Sequence, residues 1–357
     1  MGARLRVVLD QLVHVVDPDH ASAALDLTRG LVATAPSGCS VDAIVAAGSE
    51  IPVAGVVDVR TLSLARRELA GAWQLGLTPG VGGGLIHAPS LMAPLVRHDR
   101  VHDNDQTTVT LWDLRAWDSP DALSKTAVAW QRGMLRRAVK HADAVIVPSH
   151  AIARRLSELA KLGDRIRVIA GAAPHGFAVP TDAAQRRAAL SLPAEYIVLT
   201  GDAATLGEGF RGAVASDLDA VVLDADEGTE PRLAELASSV GLPERRAHIR
   251  GALSPEDRAA VLAGSAAFVA TSAIAGWPWR ALEAMTLGRP VVAVDSGAHR
   301  DVLADGGHLV SEADLAEAVA DAVGVAGERL GVLSADRARA FSWASSAERV
   351  WGLHADL

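Results

Sequence analysis

The chain has 357 residues, half of them apolar, a single cysteine at Cys39 and a formal charge of −9. One thiol allows neither an internal disulfide nor a cysteine-built zinc cage, and the acidic balance argues against general nucleic-acid binding. No run approaches the ~18 consecutive apolar residues of a membrane span. The opening residues 1–8 read as a strand, not as a secretory signal, so the expectation is a cytoplasmic protein. In chain order, strand-like β-branched runs fall at 6–9, 41–45, 84–87, 107–111, 144–147 and 166–169, with helical stretches at 21–32, 127–142 and 151–162. Ser149 is placed to cap the last of these. Residues 170–182, AGAAPHGFAVPTD, read as a linker. The rhythm restarts with strands at 196–200 and 220–223, helices at 231–240 and 255–263, and a strand at 266–270. A helix at 280–287, a strand at 291–294, a helix at 312–325 and a helical stretch at 334–353 complete it.

This alternation predicts βαβ units and parallel sheets, most economically as two Rossmann-like domains in series. The expected division is 1–172, 173–335 and a C-terminal helix, 336–357, packing back on the first domain. Charge divides unevenly. Residues 1–175 carry 19 basic and 17 acidic side chains, and residues 176–357 carry 15 and 26, balances of +2 and −11. The more basic first half suits an anionic acceptor or a lipid headgroup surface, which leaves peripheral membrane contact open.

The strongest motif is 270–295, ATSAIAGWPWRALEAMTLGRPVVAVD. A strand enters a small-residue turn, a helix follows and stops at Gly288, and Pro290 leads the next strand. A helix start presents unpaired N–H groups and the positive dipole end, which suits a diphosphate. Glu283, one turn in, could accept paired hydrogen bonds from a ribose diol.

The ordered set Gly276-Trp277-Pro278, Leu282-Glu283-Ala284-Met285, Gly288 and Pro290-Val291-Val292 resembles the donor motif of family-4 nucleotide-sugar glycosyltransferases of the GT-B fold. Ser296–Val302, the Leu111-Trp112-Asp113-Leu114 turn, Ala142–Ser149 and Gly163–Ile169 resemble further segments of that family in the same order, in its actinobacterial type. The resemblance implies a GT-B architecture, two Rossmann-like domains facing across a cleft. It implies transfer of a sugar, with retention, from a nucleotide-diphosphate sugar to a glycan or lipid-linked acceptor, with no cofactor and no metal.

Several family positions are substituted. The sugar-side glutamate is Ala275, the acceptor-side histidine is Trp112, and Asp202 and Glu208 stand where two cations would clamp the diphosphate. The early glycine loop is replaced by LDQLVHVVDPD at 9–19. Carboxylates facing a diphosphate repel it, so Arg211 and Arg280 become the candidate clamps. The donor-side expectation is Gly276, Arg280, Ala281, Leu282, Glu283 and Arg211; the acceptor-side expectation is Trp112, Asp113, His87 and Trp277, with no catalytic base assignable. The alternative is a catalytically degenerate relative that binds a glycan or a partner protein. The His/Asp-rich segment 97–106 invites a metal reading but reads better as a solvated loop, and GVGGG at 80–84 lacks the Lys-Ser/Thr of a P-loop and reads as a turn.

Overall fold

The computed structural model describes residues 2–99, 104–273 and 276–357. The chain forms two compact units. Unit 1 gathers Met1–Ala172, Ala275–Trp277 and Phe341–Leu357, and unit 2 gathers Ala173–Ile274 and Pro278–Ala340.

In unit 1 the elements are β1 (Arg4–Leu9), α1 (Pro18–Ala33), β2 (Ser40–Val45), β3 (Val59–Thr61), α2 (Arg66–Leu75), β4 (Leu85–Ala88), β5 (Gln106–Thr110), α3 (Arg115–Asp118), α4 (Lys125–His141), β6 (Ala144–Val147), α5 (His150–Leu159) and β7 (Ile166–Val168). The sheet order is β3-β2-β1-β4-β5-β6-β7, all parallel. The central strands are buried along nearly their whole length, as expected of a parallel sheet covered on both faces. Trp73 on α2, Met92 and Leu95 are fully buried in the core on one side of this sheet.

Unit 2 runs α6 (Ala183–Ala189), β8 (Tyr196–Thr200), α7 (Leu206–Ala215), β9 (Asp219–Val222), α8 (Glu230–Ser239), β10 (Ala247–Ile249), α9 (Pro255–Gly264), β11 (Phe268–Ala270), α10 (Trp279–Thr286), β12 (Val291–Val294), α11 (Gly297–Leu303), β13 (His308–Val310), α12 (Leu315–Val323) and α13 (Gly327–Ala338). Its sheet is β10-β9-β8-β11-β12-β13, again all parallel. The final helix, α14 (Trp343–Asp356), belongs to unit 1.

The stretch read as one helix over 334–353 is two, interrupted over 339–342, where the Ser342 hydroxyl accepts from Ser345 N and starts a new helix. The first lies in unit 2 and the second in unit 1, so the return to unit 1 starts at 341, not 336. Within unit 1, α14 lies on α1: the Trp351 indole donates to Leu31 O at 3.0 Å, and a Cβ on Gly30 would stand 2.7 Å from Trp343 O.

Helix α7 escaped the sequence reading because Gly207, Gly209 and Gly212 lower its intrinsic propensity. The glycines serve packing instead. A Cβ on Gly209 would meet Thr271 Cγ2 at 2.7 Å, and one on Gly212, on the same side of the helix, would meet Val319 at 3.0 Å, so this side of α7 presses closely on its neighbours.

Both sheets have a point where strand order reverses, between β1 and β4 in unit 1 and between β8 and β11 in unit 2. Open parallel sheets bind ligands outside the carboxyl ends of strands at such points. Each unit therefore offers one crevice, defined by topology.

Candidate functional sites

In unit 2 the crevice is bordered by the loops after β8 and β11. Gly201 leaves β8 so close to Thr271 that a Cβ would stand 2.0 Å from its Oγ1. Glycine is required there by close approach. Asp202 folds back on its own loop: Oδ1 accepts from Ala204 N at 2.9 Å and Thr205 N at 3.1 Å. The Thr205 and Thr271 hydroxyls join across the two loops at 3.0 Å. Asp202 thus fills the anion position before α7 with its own carboxylate. Glu208 pairs with Arg211 on the first turns of α7, so Arg211, expected as a clamp, is engaged by the neighbouring carboxylate.

Helix α10 starts differently. Its N-cap is Pro278; like α7 it has no side-chain cap, but no carboxylate turns back on the loop before it as Asp202 does before α7. Ala281 and Leu282 turn their side chains into the core, and the Leu282 N–H already donates to Pro278 O at 3.1 Å, so of the two only the Ala281 backbone N–H is placed for a ligand. Glu283 is not open to a ribose. It is 1% exposed, and Arg258 Nη2 and Nε donate to its Oε1 and Oε2 at 2.7 and 3.0 Å. Arg280 Nη1 donates to the same Oε1 at 3.0 Å, while its Nε donates to Asp224 Oδ2 at 2.7 Å. Asp224 lies just beyond the end of β9 at φ 58°, a left-handed conformation aspartate tolerates better than most residues. Glu283 therefore positions Arg280, and Arg280 is the charged side chain at the helix start. A buried bidentate arginine–carboxylate pair is rigid, so this cation is preorganised.

In unit 1 a pocket of about 150 Å³ opens at the ends of β1, β4 and β5. Asp10, at the end of β1, is buried. Its Oδ2 accepts from Arg66 Nε and Nη2 at 3.1 and 2.9 Å, and its Oδ1 from Ser90 Oγ at 3.2 Å. Burial raises its pKa above the ordinary aspartate value, against the pull of Arg66. Asp17 caps α1, accepting from Asp19 N and His20 N at 3.1 Å each, and takes a 2.6 Å bond from Arg115 Nη2. Burial opposes its ionisation, but His20 and Arg115 prevail and hold its pKa below the usual range.

Asp113 accepts from Arg115 N and Arg115 Nη2 at 2.9 and 3.0 Å and stands 3.4 Å from His20 Nε2. Asp17, His20 and Asp113 could between them offer metal ligands. However, Arg115 already supplies a cation between the two carboxylates. Trp112 walls the pocket, with its indole donating to Pro89 O at 2.9 Å and its ring edge-on to Trp343 at 6.2 Å.

Two expected site residues fall elsewhere. Gly276, read as donor-side, belongs to unit 1, where it bridges Asp113. A Cβ there would meet Asp113 Cβ at 2.7 Å. Trp277 follows it, donating its N–H to Trp112 O at 3.1 Å and packing edge-on to Phe341 at 5.6 Å, buried. His87 is not at a site mouth. It is fully buried within unit 1, with Nδ1 2.9 Å from Thr108 Oγ1, which in turn lies 3.2 Å from His354 Nε2 on α14. His354 Nδ1 meets the Gln106 carbonyl at 2.8 Å and must donate to it. Its Nε2 then accepts from Thr108, and Thr108 accepts from His87. Burial drives both imidazoles down, His87 to about 3 and His354 to about 4, so both are neutral at neutral pH.

Ala275 and residues 100–103 lie outside the described residues, so the sugar-side substitution and part of the 97–106 segment have no structural account. Within that segment, His98 is tied to Asp143 Oδ2 at 2.8 Å and to Val96 O at 3.0 Å. Asp10, Asp17, His20 and Arg66 were missed by sequence reasoning. Only Asp17-Pro18, an N-cap signal, carried a local hint.

Residues 212–326 match the family model described as Glycosyl transferases group 1. No curated protein matches the chain in sequence. Among solved structures, the chain is similar to the sucrose-phosphate synthase of Thermosynechococcus elongatus, at 19% identity and a TM-score of 0.69, covering 99% of this chain and 98% of that one. It is similar to Anabaena HepE, solved in complex with UDP, at 18% identity and a TM-score of 0.65, covering 99% and 100%. It is also similar to WaaG, a glycosyltransferase involved in lipopolysaccharide biosynthesis, at 12% identity and a TM-score of 0.65, covering 97% and 98%. The two Rossmann-like units are those of the GT-B fold.

Proposed function

We propose that the protein transfers a sugar from a nucleotide-diphosphate sugar held on unit 2 to an acceptor hydroxyl held on unit 1, with retention of configuration. The observation that carries this reading is the start of α10. It lies at a topological switch point, it has no side-chain cap, and Arg280 is fixed beside it by Asp224 and Glu283. An uncapped helix start with a preorganised guanidinium suits a leaving diphosphate, whose charge grows as the glycosidic bond breaks. The segment also lies within the region that matches the glycosyltransferase family model. HepE, solved with UDP and with UDP-glucose, supports the choice of donor.

In this reading the Ala281 backbone N–H and the Arg280 side chain meet the diphosphate, and the acceptor enters the Asp10–Trp112–Asp113 pocket. The leaving phosphate itself guides the acceptor hydroxyl. A protein of this kind works without a cofactor and beside glycan or lipid-linked acceptors in the cytoplasm, with peripheral membrane contact at most. Among the described residues no helix is long and apolar enough to cross a membrane.

Calorimetry with UDP, GDP and their sugars tests this. We expect saturable binding of one nucleotide, weakened about tenfold or more by Arg280→Ala, since a hydrogen bond from a charged donor contributes about 1.5–3 kcal/mol. Absence of binding by every nucleotide at millimolar concentration would overturn it. The second reading is a degenerate relative that binds a glycan or a partner protein. It draws on Asp202, whose carboxylate already fills the loop before α7. Nucleotide binding without turnover of any donor, by hydrolysis or transfer, would favour it.

A further inference from the structure

The loop after β1 replaces a glycine-rich turn with Gln11-Leu12-Val13-His14-Val15-Val16, and it presents its apolar groups to solvent. Val13, Val15 and Val16 are 53%, 54% and 66% exposed. The loop is not slack. Gln11 Oε1 accepts from Val16 N at 2.8 Å and Asp17 N at 2.9 Å, pinning it at the point where α1 begins. Val16 and Gln11 also line the unit 1 pocket, so the loop meets the pocket at these two residues.

The pocket behind this rim has a definite chemistry. At about 150 Å³ it is well below the ~300–1,000 Å³ of sites for drug-sized ligands, and it takes a single ring. Trp112 and Trp130 supply aromatic surface, which suits the C–H faces of a sugar. Its arginines are engaged by its own carboxylates: Arg66 by Asp10, and Arg115 by Asp17 and Asp113. Three carboxylates face two guanidiniums in this pocket, an excess of negative charge that disfavours a phosphate. Hydroxyls meet no such penalty, and the remaining lone pairs of the fixed carboxylates can accept from them.

We propose that unit 1 takes an amphipathic acceptor: one uncharged sugar or polyol ring in the pocket, with its apolar part lying along Val13, Val15 and Val16. This rests on the reading of unit 1 as the acceptor side. It deepens that reading by naming the acceptor as a neutral glycoside with an apolar aglycone. The rim acts through burial of hydrocarbon, where each methylene fully removed from water is worth about fourfold in affinity.

The test is a titration of the whole protein with methyl and hexyl glycosides of glucose, galactose, mannose and N-acetylglucosamine, below their micellar concentrations, beside glucose 6-phosphate and UDP. Saturation-transfer NMR and calorimetry give the readouts. We expect at least one hexyl glycoside to bind about tenfold more tightly than its methyl partner, and glucose 6-phosphate to bind more weakly than either. In a variant carrying Val13→Ser, Val15→Ser and Val16→Ser, the hexyl advantage should vanish while methyl glycoside and UDP binding persist. The UDP measurement also reports that this variant is folded. Equal affinities of hexyl and methyl glycosides, a hexyl advantage that survives the triple substitution, or preference for the sugar phosphate would each overturn the proposal. So would absence of binding by all glycosides. If UDP binds in that case, the donor reading still stands; if UDP fails while glycosides bind, only the donor reading falls.

Discussion

Glu283 shows how a residue can be placed correctly and still be misread. Its position one turn into α10 was legible from the motif, but Arg258 lies 25 residues away and belongs to α9. Nothing in the spacing reveals that the carboxylate is closed off by a buried guanidinium. Removing one member of a buried ion pair strands the other, at a cost of about 3–5 kcal/mol. Glu283→Ala should therefore lower unfolding stability by about that amount in urea denaturation, with or without nucleotide. A loss of less than about 1 kcal/mol would show that Arg258 finds water or another partner. The same argument makes Glu283→Ala a poor probe of ligand contact, and Arg280→Ala the better one. In unit 1 the motif pointed to Trp112 and Asp113, because both lie in one recognisable turn. Asp10, Asp17, His20 and Arg66 come from the end of β1, from α1 with its cap, and from α2. Their meeting depends on strand order, which no local pattern encodes.

At the scale of elements, the buried parallel strands were readable because burial on both faces leaves short unbroken apolar runs, such as AVIV in β6 and VVAV in β12. The edge strands β3, β10 and β13 were not, since VRT, AHI and HLV are three residues long and none carries an unbroken apolar run. Helix α7 was hidden by glycines chosen for close packing over propensity. The contact between α1 and α14 makes the same trade at Gly30 and yields a test. Alanine in a helix gains about 0.5–1 kcal/mol over glycine. A Cβ at Gly30, however, would stand 2.7 Å from the backbone oxygen of Trp343 and 3.1 Å from Ala347 Cβ, and a backbone atom cannot rotate away. Overpacking of this kind costs about 1–3 kcal/mol. Gly30→Ala should destabilise by about 1 kcal/mol net, read as a fall in the unfolding midpoint. A rise would mean that α14 shifts without penalty.

For the whole molecule, pH couples to folding through the buried histidines. An unfolded imidazole titrates near 6.5, whereas His87 and His354 are depressed to about 3 and about 4 when folded. Between those values the unfolded chain binds more protons than the folded one, so stability is full above about pH 6.5 and falls as the pH drops toward 4. Denaturant midpoints measured from pH 7 to pH 4 should decline, and a His87→Leu, His354→Gln double variant should flatten the decline even if its stability at neutral pH is lower. An unchanged slope in that variant would assign the acid sensitivity to carboxylates instead.

The route of the chain through its two units bears on how it is made. The chain leaves unit 1 at Ala172, touches it again at 275–277, and returns for good at Phe341. During synthesis nearly all of unit 2 emerges before α14, the helix that covers α1. Until α14 emerges, the face of α1 that it covers stays open, whereas the strands of the second sheet are already synthesised and free to pair. The half of the protein translated first is thus the half completed last.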